Sequence, residues 1–168
     1  MCTNAIAIFD TRNIQGNVKF HQCENTNETL VIFNISGLVP GKIQACHIHE
    51  YGDESHGCKS LGAHWNPEGT THGHTCMSIP RVKYDCSYYE SHAGDLLNNI
   101  KADDQGLFRF RYMDPRLKLK GDVSESIIGR SIVIHDGIDD LGLGGNMESL
   151  KTGNAGGRMV CAIIGHSK

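Results

Sequence analysis

Apolar and polar positions alternate along this chain in short runs rather than in helical stripes. Residues 4–9 form one such run. After the turn-like Asp10-Thr11-Arg12-Asn13, residues 17–22 form a second. Residues 30–35 alternate and stop at Ser36-Gly37, and the run 43–49 begins after Pro40-Gly41. Later runs cover 106–112, with Phe108 and Phe110 in alternation, then 131–134 and 158–164. Short strands separated by Gly, Asn, Asp and Pro predict an all-β antiparallel sandwich or barrel. Residues 50–91 and 136–157 do not read as strands. The first is rich in Gly, His and Cys; the second holds Leu141-Gly142-Leu143-Gly144-Gly145-Asn146. Loops longer than about 12–15 residues inside a compact domain are usually functional or disordered.

Composition narrows this picture. A length of 168 residues suits one domain, 1–168, with a real hydrophobic core. The formal net charge of -3 is mild and no Lys/Arg run is present, so nucleic acid is not an expected partner. No apolar stretch approaches the roughly 20 residues that span a bilayer, and residues 1–10 lack a charged segment followed by an apolar one. The expectation is a cytoplasmic protein with no membrane partner. Seven Cys is an odd number, so at least one thiol stays free or pairs with another chain. Cys2, Cys23 and Cys46 stand in strand-like contexts and read as free, packed thiols.

Seven of the 10 His crowd between positions 47 and 92. His47 and His49 are one residue apart, so on a strand they project from the same face. Two imidazoles on one face of a rigid strand make half of a copper or zinc site. Alone, such a pair is as often two solvated surface histidines. Here His64, His72, His92 and Asp95 follow, and His135 ends another strand, which favours a metal centre over a solvated face.

These segments resemble the copper,zinc superoxide dismutases. The resemblance rests on His47-Ile48-His49-Glu50-Tyr51-Gly52-Asp53, the run from Gly57-Cys58 to Ala63-His64-Trp65-Asn66-Pro67, and Thr71-His72-Gly73. It continues through Gly94-Asp95-Leu96, Ile127-Ile128-Gly129-Arg130-Ser131-Ile132-Val133-Ile134-His135, Asp139-Asp140-Leu141-Gly142, and Lys151-Thr152-Gly153-Asn154-Ala155-Gly156-Gly157-Arg158. The order is kept nearly end to end.

The resemblance implies an eight-stranded antiparallel Greek-key β-barrel with long metal-binding and electrostatic loops. It implies an enzyme that disproportionates superoxide to oxygen and hydrogen peroxide. Copper would sit on His47, His49, His64 and His135, and zinc on His64, His72, His92 and Asp95. His64 would bridge the two metals, and an imidazole deprotonated at both nitrogens is accessible only between two cations. Arg158 would be the channel arginine that receives superoxide. Asp139 would link His47 to His72, with its neighbour Asp140 competing for that role. Cys58 and Cys161 would form an intrasubunit disulfide, worth at most roughly 4.7 kcal/mol by chain entropy. The resemblance also implies a homodimer contact around Gly52, Ile128 and Gly129, and a copper chaperone as a partner. A non-catalytic relative that binds zinc or sequesters a copper-delivery protein is the alternative; loss of copper ligands or of Arg158 would favour it, and neither is lost. A zinc-only domain would leave His47, His49 and His135 idle.

The chain departs from the family in three places. The segment from His74 to Ser91 is longer than usual and contains Cys76 and Cys86, a candidate second disulfide, while His74 and Cys76 could compete for zinc. Gly137 and Met147 stand where a lysine and a glutamate are common, with Glu148 and Lys151 retained. His166 replaces a common apolar residue near the dimer region. Two expectations follow. A thiol count under denaturing, non-reducing conditions should find Cys76 and Cys86 protected; finding both free removes that pairing. The rate of superoxide removal should fall only weakly as ionic strength rises, since two steering charges are missing; a steep fall contradicts it.

Overall fold

The computed structural model describes residues 1–75 and 90–168; Cys76 and Cys86 lie outside the described residues. The strands are β1 (Cys2–Asp10), β2 (Gln15–Cys23), β3 (Thr29–Ser36), β4 (Ile43–His49), β5 (Ser55–Cys58), β6 (Asn98–Lys101), β7 (Phe108–Asp114), β8 (Ser131–His135) and β9 (Arg158–Ser167). A single helical turn, α1 (Ser149–Thr152), lies in the second long loop. Every run of alternation noted above became a strand. The short β5, β6 and α1 were not anticipated, because four residues carry too little periodicity to stand out from a loop.

Eight strands join in the order β6-β4-β8-β9-β1-β2-β3-β7, all antiparallel, and curl into a nearly closed barrel. The steps from β3 to β4 and from β7 to β8 pass over strands that are not neighbours, which gives the Greek-key path. Strand β9 holds the two halves together: residues 158–163 pair with β8 and residues 164–167 with β1. The barrel interior is filled by Phe9, Phe20, Phe33, Ile35, Ile48, Ile100, Leu117, Ile132 and Ile134, all fully buried.

Most strands bury alternate residues, as a barrel wall should. In β1 these are Ala5, Ala7 and Phe9, and in β3 Val31, Phe33 and Ile35. Strands β4 and β8 break the rule. All of β8 and all of β4 after Ile43 are buried. Cys46, Ile48, Ile132 and Ile134 belong to the core. The opposite face of these strands carries His47, His49 and His135, and it is covered by loops. Burial on both faces therefore marks the part of the wall where the loops fold back.

One expectation is corrected. Cys2 and Cys23 are not free thiols but form a disulfide, with their Cα atoms 4.0 Å apart. The cause is register: β1 and β2 pair as one hairpin, and Cys2 falls directly opposite Cys23. Cys46 is free and buried, its side chain in the core and away from His47 and His49. Burial pushes its thiol up to about 12, which keeps it protonated and unreactive. Replacing Cys2 with Ser should lower the unfolding free energy by roughly 3 kcal/mol at most, the entropy of closing a loop of this size. Denaturant unfolding of the variant measures it, and an unchanged midpoint would show that the hairpin needs no tether.

Candidate metal centre

Strand β4 sets the frame. His47 and His49 leave its outer face opposite Val133 and Ser131 of β8. At the end of β8 a bulge between Ile134 and His135 shifts the register, and His135 then lies opposite Arg158 of β9. Beyond β4 the chain returns on itself. Glu50 N–H donates to Ala63 O, and Trp65 N–H donates to Ile48 O, so His64 is laid beside His49. The turn Ala93–Asp95 closes over Trp65, where Gly94 N–H donates to Trp65 O. Gly94 is needed here: a Cβ would sit 2.4 Å from Ile48 O.

Two donor sets result. His47, His49, His64 and His135 bring one ligand atom each within 4.8 Å of one another, and so do His64, His72, His92 and Asp95. All are buried. His64 is common to both. Its ring lies 4.0 Å from that of His47 and 5.3 Å from that of His72, centroid to centroid. His74 enters no such group among the described residues.

The hydrogen bonds assign which nitrogen of each ring is free. His47 Nε2 lies 2.7 Å from the Asp139 carboxylate, so it carries the proton and leaves Nδ1 as a lone pair. His49 Nδ1 donates to Gly62 O at 3.0 Å and His135 Nδ1 faces Gly156 O at 3.4 Å, which frees Nε2 of both. Those two Nε2 atoms are 3.3 Å apart. On the other side, Asp95 Oδ1 lies 3.0 Å from His64 Nδ1, 3.0 Å from His72 Nδ1 and 3.3 Å from His92 Nδ1. His47 Nδ1 and His64 Nε2 are buried without any hydrogen-bond partner. Buried polar nitrogens left bare are costly unless something else satisfies them, and metal ions on the two donor sets would do so. An all-imidazole set suits copper, and three imidazoles with one carboxylate suit zinc.

The electrostatics of the all-histidine set point the same way. Burial, and then the charge of His64, lowers His47 to about 3 and His135 to about 4. His49 is lowered further by the same causes. These rings are therefore neutral at physiological pH, with lone pairs available to a cation. Burial opposes a charge on His72, but the carboxylates of Asp139 and Asp95 outweigh it and raise it to about 9. Burial likewise disfavours an ionised Asp95, yet hydrogen bonds from His64, His72 and His92 hold it well below the carboxylate range.

Asp139 links the two sets. Its Oδ2 accepts from His47 at 2.7 Å and its Oδ1 from His72 at 2.8 Å. The role falls to Asp139 and not to Asp140, whose carboxylate instead accepts from Ser149 Oγ and Asn154 Nδ2 within its own loop. Sequence reasoning missed the residues that hold Asp139. Asn98 Nδ2 donates to Asp139 Oδ2 at 3.0 Å, while the side chain of Asn99 brackets the backbone N–H and carbonyl of Asp139. Asn98 has φ 57, a left-handed backbone that asparagine tolerates better than most residues. Gly153 was quoted only as part of a motif, yet a Cβ there would meet Asp139 Oδ1 and His72 Nε2 at 2.2 and 2.4 Å. An Asn-Asn pair shortly after Asp95 is the one signal that could have drawn attention to them.

A cavity of about 410 Å³ opens onto the all-histidine set. It is lined by His49, His64, His135, Glu148, Thr152 and Arg158 among others. Arg158 is half-buried, and its guanidinium is held by the carbonyls of Cys58, at 2.7 Å, and Gly62. The Cys58–Cys161 disulfide ties that carbonyl-bearing segment to β9, the strand on which Arg158 sits.

A β-barrel with two adjoining donor sets that share one imidazole defines a dinuclear metalloprotein. Residues 14–164 match the family described as copper/zinc superoxide dismutase (SODC), and the chain belongs to that family. It is 44% identical to a superoxide dismutase [Cu-Zn] of Neurospora crassa over 93% of this chain and 92% of the relative. It is 44% identical to one from Paramecium bursaria Chlorella virus 1, over 98% and 79%, and 41% identical to one from Saccharomyces cerevisiae, over 90% of each. Among solved structures, that of the clock protein EA4 superposes with a TM-score of 0.81 at 38% identity, covering 96% of this chain and 93% of that one. The activity is superoxide disproportionation, and the metals are copper and zinc.

The Asp139 bridge generates a prediction. Asn at this position has one carbonyl oxygen and can accept from only one of the two imidazoles. Asp139→Asn should weaken metal binding by about 10–100-fold, the usual effect of losing a partner behind a ligand. Chelator competition measures it, and wild-type affinity in the variant would show that His47 and His72 need no common acceptor.

Proposed function

We propose that His47, His49, His64 and His135 hold the copper, that His64, His72, His92 and Asp95 hold the zinc, and that His64 spans both. The observation that carries this reading is the unpartnered Nδ1 of His47 together with the unpartnered Nε2 of His64, both buried. A copper held there would supply one-electron redox chemistry, by which two superoxides and two protons become oxygen and hydrogen peroxide. The residues supply the rest. Arg158 places a fixed positive charge beside the cavity that His49, His64 and His135 line, which attracts superoxide and orients it. His64 lines the same cavity, and its bare Nε2 would hold a proton for the product there when it binds no metal. Asp139 keeps His47 in the tautomer that presents Nδ1. A zinc-only role would leave the lone pairs of His47, His49 and His135 converging to no purpose.

The reading includes a homodimer. It is supported by Tyr51 and Ile163, apolar side chains that are 56% and 40% exposed, beside the close approach of Gly52 to Gly129. Its own departure is His166, exposed on the same strand; a monomer in sedimentation would remove this part. A pairing of Cys76 with Cys86, a cytoplasmic location and loading by a copper-delivery protein belong to the same proposal. The last two stand or fall with copurification from the soluble fraction. No helix among the described residues is long and apolar enough to cross a membrane.

The deciding experiment joins metal analysis of the purified protein to a superoxide assay. Copper and zinc in equal amounts with activity are expected. Zinc alone, with no activity after copper is added, would overturn the assignment.

A further inference from the structure

His92 and the turn Ala93–Asp95 carry two of the four zinc-side donors on one short stretch of chain. His92 N–H donates to Asp95 Oδ2 at 2.9 Å, and Asp95 N–H donates to His92 O at 3.0 Å. The two donors therefore move together, and whatever fixes residue 92 fixes both.

Arg116, two residues past the end of β7, reaches that residue. Its Nη1 donates to His92 O at 2.9 Å and to Ser91 Oγ at 2.9 Å. The guanidinium is itself held. Its Nε lies 3.7 Å from Oδ1 of Asp114, the last residue of β7, whose side chain is 2% exposed. Asp114 Oδ1 also accepts the backbone N–H groups of Arg116 and Leu117, at 2.8 and 3.3 Å, so the carboxylate cannot swing. Leu117 is pinned in turn, since Thr29 Oγ1 donates to its carbonyl at 2.7 Å. A fixed acid thus aims a planar cation at the backbone that carries the ligands. Charge-assisted bonds of this kind are roughly twice as strong as neutral ones.

We propose that Arg116 is a positioning residue for the zinc site, setting the pose of His92 and Asp95 through Ser91 and the His92 carbonyl. The proposal rests on the assignment of zinc to His64, His72, His92 and Asp95. Arg116 touches neither metal nor substrate; it acts through the turn. Thr70 Oγ1 bonding to Ser91 O and Gly94 N–H bonding to Trp65 O also anchor this stretch, so the turn should survive the loss of Arg116 but lose its alignment.

The test uses full-length protein stripped of metal and titrated with Zn(II) against a competing chelator, with Co(II) absorption as the readout of ligand geometry. Arg116→Met should weaken Zn(II) binding about tenfold or more and change the Co(II) spectrum. Arg116→Lys keeps one donor and the charge, and should fall between Met and wild type. Thr11→Val removes the hydrogen bonds to Ile14 in the β1–β2 turn, off the path from Asp114 through Arg116 to His92; it should lower Tm and leave Zn(II) affinity alone. Wild-type affinity and spectrum in Arg116→Met would overturn the proposal, as would an equal loss of affinity in Thr11→Val. Should Arg116→Met fail to fold, Arg116→Lys and Ser91→Ala carry the test, and wild-type affinity in both overturns it. A different result separates the underlying assignment: if wild-type protein gives no four-coordinate Co(II) spectrum, or His72→Ala keeps it unchanged, the zinc assignment itself is wrong.

Discussion

One carboxylate organises the whole site. Asp139 stands between His47, on a barrel strand, and His72, on a loop, and accepts a hydrogen bond from each. A buried charge without partners would be prohibitive. This one has two imidazoles, the Asn98 amide and the Leu141 N–H around it. The requirement runs outward from there. Gly153 must lack a side chain, Asn98 must adopt a left-handed backbone, and the loop 136–157 must close over β4. Each donor set could exist on its own elements. Their common acceptor makes them a single unit.

The fold was legible where periodicity is strong. Strands β1 to β4 and β7 to β9 show alternation or apolar runs long enough to read, and their boundaries came out within a few residues. The site was legible through histidine spacing and motif resemblance, and the structure brings together all six histidines and Asp95. What escaped reading depends on register and return geometry. Nothing local says that Cys2 faces Cys23; that follows only once the hairpin closes residue by residue. Asn98 and Asn99 look like ordinary turn residues until Asp139 arrives from another loop.

Burial on both faces of β4 links the core to the chemistry. The same short strand presents Cys46 and Ile48 inward and His47 and His49 outward. A packed interior transmits small displacements instead of absorbing them, so the barrel wall acts as a template for the donor set. The loops add what a wall cannot: a shared imidazole, an acid behind it, and a cavity with Arg158 at its side.

The two disulfides among the described residues also impose an order in time. Cys2 and Cys23 are 21 positions apart and belong to one hairpin, so their bond can form early in synthesis, before most of the barrel exists. Cys58 must wait for Cys161, 103 positions later and on β9. Strand β9 is also the piece that pairs with both β1 and β8. A ribosome emitting this chain therefore delivers the second crosslink, the closing strand and Arg158 together. Until then, β6-β4-β8 and β1-β2-β3-β7 have no strand between them, although every residue of the two donor sets has already been made.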